Sequence, residues 1–61
     1  MQRKDSYVIE IEDEAVGLVV DEHGGMVFHA AHPSLGGLHG RLFPDATDAV
    51  RAARQALRLA A

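Results

Sequence analysis

Between Tyr7 and Ala31 apolar and polar residues alternate with the period of two expected of half-buried strands, whereas from Ala46 onward apolar residues recur every three and four positions. Tyr7-Val8-Ile9-Glu10-Ile11-Glu12 puts Tyr7, Ile9 and Ile11 on one side and Val8, Glu10 and Glu12 on the other, which predicts a first strand over 7–12 with Asp13-Glu14 as the turn. Residues 15–22 and 26–31 then predict a hairpin around His23-Gly24-Gly25. A three-residue loop, a type I turn closed by a left-handed glycine, sets Glu22 opposite Met26, Val20 opposite Phe28 and Leu18 opposite Ala30. Beyond its first pair that face is wholly apolar, and the other face holds Ala15, Gly17, Val19 and Asp21 against Val27, His29 and Ala31. A two-residue loop, His23-Gly24, pairs Leu18 with His29 and Val20 with Val27 instead. A slip of one residue exchanges the two faces of a strand, and the three-residue loop is preferred for its apolar face.

A helix is predicted over 45–60. Asp45 is the expected cap with Asp48 three residues on, both carboxylates being favoured at the positive end of the helix dipole, and Thr47 is the alternative cap. Ala46, Ala49, Val50, Ala53, Leu57 and Ala60 form its apolar stripe, shallow enough for the axis to lie close to a sheet, and Phe43 is placed to fix the entry angle. Between sheet and helix, the glycines and Pro33 of residues 32–44 oppose a long regular element. Leu35, Leu38 and Leu42 are expected to anchor this connection, with one helical turn near 34–38 and room for a short strand at 39–43.

The expectation is a single α+β domain over residues 1–61: a three-stranded antiparallel meander, with a short fourth strand allowed for, and one C-terminal helix packed on one face. Residues 1–6 are expected to fray. Sixty-one residues with no cysteine are close to the size at which one core barely offsets chain entropy. Many of the apolar positions are alanine, so a homo-oligomer or a protein partner is expected. Val8, Val19, Val27 and His29, on the sheet face away from the helix, are assigned as the centre of that interface, rimmed by Glu10, Glu12 and Asp21. The lack of cysteine removes thiol chemistry, iron–sulfur clusters and cysteine zinc sites. Neither a signal peptide nor an apolar run of membrane-spanning length is seen, and a cytoplasmic location without membrane contact is expected.

Charge is uneven. Residues 1–31 carry seven acidic and two basic side chains, and residues 32–61 carry two acidic and four basic. Arg51, Arg54 and Arg58 form a stripe on the helix, read as a solvated back and as a secondary polar contact for an acidic partner such as the Glu10 to Glu12 region of another copy.

Four histidines, His23, His29, His32 and His39, are the one chemically suggestive enrichment. His29, His32 and His39 form the alternative reading, a metal or haem site, if the chain bends at Pro33 and returns through Gly36-Gly37. No zinc-type motif or helical pair of ligands supports it. Alternating glutamates are what a solvated strand face looks like, Ser34 lacks the nucleophile-elbow pattern, and the two glycine pairs lack the lysine and hydroxyl residue of a phosphate loop. No catalytic residue and no cofactor is assigned, and the chain is read as non-enzymatic.

An antiparallel sheet followed by one helix after Phe43-Pro44-Asp45-Ala46-Thr47-Asp48-Ala49 is similar in topology to small sheet-plus-helix modules of plant and integrase-arm type and to YegP-like bacterial proteins. The first two bind DNA through a sheet rich in arginine and aromatic residues, which makes a nucleic-acid-binding module the second alternative. This sheet offers glutamates, valines and one histidine, and the net charge is −3, so nucleic acid is not the expected partner. The function expected from sequence is a protein-binding or self-assembling module that uses the second face of its sheet.

Overall fold

A computed structural model describes residues 5–60. Strands β1 (Ser6–Ile11), β2 (Glu14–Glu22) and β3 (Gly25–Ala30) are followed by a 3-10 segment (Pro33–Leu38), a two-residue strand β4 (Leu42–Phe43) and the helix α1 (Ala46–Ala60). The four strands form one antiparallel sheet in the order β1-β2-β3-β4. The α+β meander with a short fourth strand and one C-terminal helix is therefore the observed fold. The fraying expected of residues 1–4 lies outside the described residues, but Ser6 opens β1 and Asp5 is tied to the sheet, its carbonyl accepting the Asp21 N–H at 2.8 Å.

Both hairpins close through two-residue turns whose central residues have positive φ, 52° and 68° at Glu12 and Asp13, 54° and 80° at His23 and Gly24. Turns of this hand twist with the strands they join. The first turn is thus Glu12-Asp13, one residue earlier than Asp13-Glu14, and Glu14 opens β2. The second corrects the register. Gly25 is not part of the loop but the first residue of β3, opposite Glu22, so Val20 faces Val27, Leu18 faces His29, and Val19 faces Phe28.

The physical reason lies in two features invisible to strict alternation. Phe28 is fully buried, and its ring occupies the space over Gly17: a Cβ there would sit 2.6 Å from Phe28 Cζ and 2.7 Å from the His29 carbonyl oxygen. Only the register that brings Gly17 onto the inner face leaves room for the ring. The pairing with β1 also slips between Ile9 and Glu10, so Val16 is an extra residue on β2. This bulge lets Val16 and Val19, three apart, both point inward.

The inner face carries Ile9, Ile11, Val16, Val19 and Phe28, covered by Leu35 and Leu38 of the 3-10 segment, by Phe43, and by Ala49 and Ala53 of α1. Burying each of the larger side chains contributes about 1.5–3 kcal/mol. Ala49 and Ala53 are fully buried and Ala46, Val50 and Leu57 partly so, which is the expected stripe; Ala52 and Ala56 join it and Ala60 is exposed. Asp45 caps the helix, its Oδ1 accepting the Asp48 N–H at 2.9 Å. Asp48 turns forward to Arg51 Nη1, 3.1 Å away. Leu35 and Leu38 anchor the connection as expected, but Leu42 lies 53% exposed on the sheet's far side, because its neighbour Phe43 takes the inward position of so short a strand.

Candidate functional site

The sheet face turned away from α1 is built by the register. In one cross-strand row Val8, Leu18 and His29 lie side by side, and in the next Ser6, Val20, Val27 and Leu42. Residues directly opposite in an antiparallel pair share a face, so these seven side chains form one outer surface. Val8 is 63% exposed, Leu18 37% and Leu42 53%, while Val20 and Val27 are half-buried by these neighbours. Glu10 and Glu22 border this surface by alternation along β1 and β2.

Val8, Val27 and His29 therefore stand on the face that sequence assigned to the interface. Val19 does not: it is fully buried beneath the helix, and the one-residue register change replaces it with Leu18 and Val20. Asp21 moves with Val19 to the inner side of the sheet, at the exposed end opposite Met26, and Glu12 leaves the face for the turn. Leu18 and Val20 were missed as surface residues because the three-residue loop turns them inward, and Leu42 because it was expected to anchor the connection.

His29 Nε2 is shielded from solvent, has no hydrogen-bond partner and stands 3.6 Å from Glu22 Oε2. The His39 ring meets the His29 ring edge-on with centroids 5.8 Å apart. His39 is held there because its Nδ1 accepts the Ala30 N–H at 3.1 Å, closing the end of the β3 ladder beyond β4. His32 is engaged elsewhere. Its Nδ1 accepts the Ser34 N–H at 3.0 Å, capping the 3-10 segment, and its Nε2 lies 4.0 Å from Glu14 Oε2. The bend at Pro33 thus brings His39 to His29 but not His32, and among the described residues no three histidine, cysteine or acidic side chains are placed to hold a metal ion.

Arg51, Arg54 and Arg58 are exposed along α1 as the spacing predicts. Arg54 and Arg58 border two open grooves on the helix. One, of about 460 Å³, has Val50 and Leu59 in its lining; the other, of about 510 Å³, has Glu12 and Glu14 across from the arginines. Walls of both signs cancel much of the field that would draw a charged ligand into the second groove. Arg41 covers the buried Phe43 ring, its guanidinium carbon 5.6 Å from the centroid. No described helix is long and apolar enough to cross a membrane. Comparison of the chain with protein-family models, curated proteins and solved structures found no match.

Proposed function

We propose that this protein is a non-enzymatic, cytoplasmic self-assembly module in which a second copy of the chain packs against the outer face of the sheet. The observation that carries the reading is the contiguous set Val8, Leu18, Val20, Val27 and Leu42, apolar, with no lysine or arginine among the described residues of that face, and on the opposite side of the sheet from the helix. Contiguous apolar patches on a small protein mark interaction surfaces. A second copy is the occupant favoured by the size of the chain: among the described residues its core consists of ten buried apolar side chains, two of them alanine, and assembly adds burial to so small a core. Two such sheets stacked about a two-fold axis bring the apolar rows together and leave Glu10 toward the rim, where water screens it, while Glu22 stays beside His29, the two side chains meeting across the Val20–Val27 row. Arg51, Arg54 and Arg58, on the helix, are a secondary polar contact in this reading and not its centre.

The test is molar mass by light scattering on size-exclusion eluate over a concentration series. The unmodified chain is expected to elute as an assembly, and Leu18→Glu, which puts a charge at the centre of the face, to halve its mass while far-UV circular dichroism stays unchanged. A monomer at every concentration, or an assembly indifferent to Leu18→Glu, overturns the reading.

A further inference from the structure

The two edges of the sheet are protected very differently. At one edge β4 is only two residues long, and such short strands offer little to pair with. At the other, β1 runs for six residues with no proline and no lysine in Ser6–Ile11, and the bulge that could have twisted it away is on β2 instead. Which of its backbone groups point outward follows from one bond. The Asp21 N–H donates to the Asp5 carbonyl, and the register runs Ser6 to Val20, Tyr7 to Val19, Val8 to Leu18. Hydrogen-bonded and non-hydrogen-bonded pairs alternate along an antiparallel ladder. Tyr7 and Ile9 therefore turn their N–H and C=O groups toward β2, and Ser6, Val8 and Glu10 turn theirs away from the sheet.

We infer that β1 is a second self-association site, at which β1 of another copy adds antiparallel about a two-fold axis through Val8, making one continuous eight-stranded sheet. Val8 then pairs with the other copy's Val8, Ser6 with Glu10 and Tyr7 with Ile9. The side chains support this register. Tyr7 is 53% exposed on the inner side of β1, an unusual position for a tyrosine beside a buried isoleucine, and the pairing gives it the other copy's Ile9 as a cross-strand neighbour. Glu10 comes to lie opposite a serine. The competing in-phase register centred on Ile9 would bring the two Glu10 side chains to diagonal positions about 7–8 Å apart, where like charges repel.

Area gives a second reason, which rests on the outer-face reading. Four strands about 4.8 Å apart and between two and nine residues long, at about 3.3 Å per residue, span roughly 400 Å². A stable interface buries about 800 Å² per partner. Stacking through the outer face alone is thus small, and edge pairing doubles the face that each stacked unit presents. The edge axis stands perpendicular to the sheet and the stacking axis lies parallel to it; where the stacking axis runs across the strands at the level of Val8 the two intersect, and the contacts then close a tetramer with no open edge at β1.

The chain is short enough to be made by total synthesis, which allows the Val8 amide alone to be N-methylated. That change removes a donor which no described strand of the same chain uses, and keeps every side chain. Light scattering of four forms separates the contacts: the unmodified chain is expected as a tetramer, N-methyl-Val8 and Leu18→Glu each as a dimer, and the combination as a monomer. The Val8 amide of the unmodified chain should also exchange with solvent at least tenfold more slowly at high than at low protein concentration. If N-methylation leaves both mass and exchange unchanged while Leu18→Glu lowers the mass, the edge contact is refuted and the outer-face reading stands. If Leu18→Glu changes nothing while N-methyl-Val8 is monomeric, the edge contact stands and the outer-face reading falls.

Discussion

Leu18 and Val19 are adjacent on one strand and similar in hydrophobicity, yet one is 37% exposed on the outer face and the other is fully buried under the helix. The inner face is a packed core in which shape matters: a ring over a glycine, two valines brought to one side by a bulge, two alanines that admit the helix axis. The outer face is a flat apolar surface in which, within a single chain, little depends on shape. The difference teaches that hydrophobicity along these strands says how much apolar surface the sheet carries, whereas the register says which half is buried by the chain itself and which half stays exposed.

Truncation of one residue on each face tests this contrast most severely. Phe28→Ala is expected to cost about 3–5 kcal/mol, enough to unfold most molecules of a domain this small, whereas Leu18→Ala should cost within about 1 kcal/mol. Urea melts monitored by circular dichroism would compare them. Equal losses would mean that the two faces are equally structural.

Gly17→Ala probes the register directly. Its methyl group would meet Phe28 Cζ and a backbone carbonyl oxygen at 2.6 and 2.7 Å. Such overpacking costs about 1–3 kcal/mol, read as a lower urea midpoint with unchanged slope. In the register with a three-residue loop, Gly17 would face outward and the same change would be nearly silent.

The smallest expected effect concerns the turn between the two faces. His23 sits at φ 54° ahead of Gly24 at 80°, and asparagine adopts that conformation more readily before a glycine. His23→Asn should stabilise the fold by about 0.5 kcal/mol, seen as a small rise in Tm. A fall would argue that the His23 ring itself contributes to packing.

Much of the architecture was legible in the chain. Alternation in β1, the polar punctuation between strands, the Asp45 cap and the alanine stripe of α1 each follow from local rules that need no partner, and they led to the right elements in the right order. The Leu35 and Leu38 anchors were legible because leucine in a glycine-rich connection has few reasons to be there other than burial. The register was not. Val19-Val20 offers an apolar side chain to either face, so alternation supports both loops almost equally, and the choice fell to features that depend on distant residues. For the same reason, of the residues assigned to the outer face Val8, Val27 and His29 lie on it and Val19 does not, while Leu18, Val20 and Leu42 lie there without having been assigned to it.

The histidines show the same division. Their number attracts attention in sequence, but their roles are set by where the chain turns: His32 and His39 give ring nitrogens to backbone amides at the two ends of the connection, and His29 faces outward beside Leu18. Composition and period, being local, determined an antiparallel sheet, one capped helix and too small a core for comfort. Tertiary structure decided which valines are core and which are surface, because a one-residue slip costs nothing in local preference and becomes decisive only when the Phe28 ring needs the empty space at Gly17.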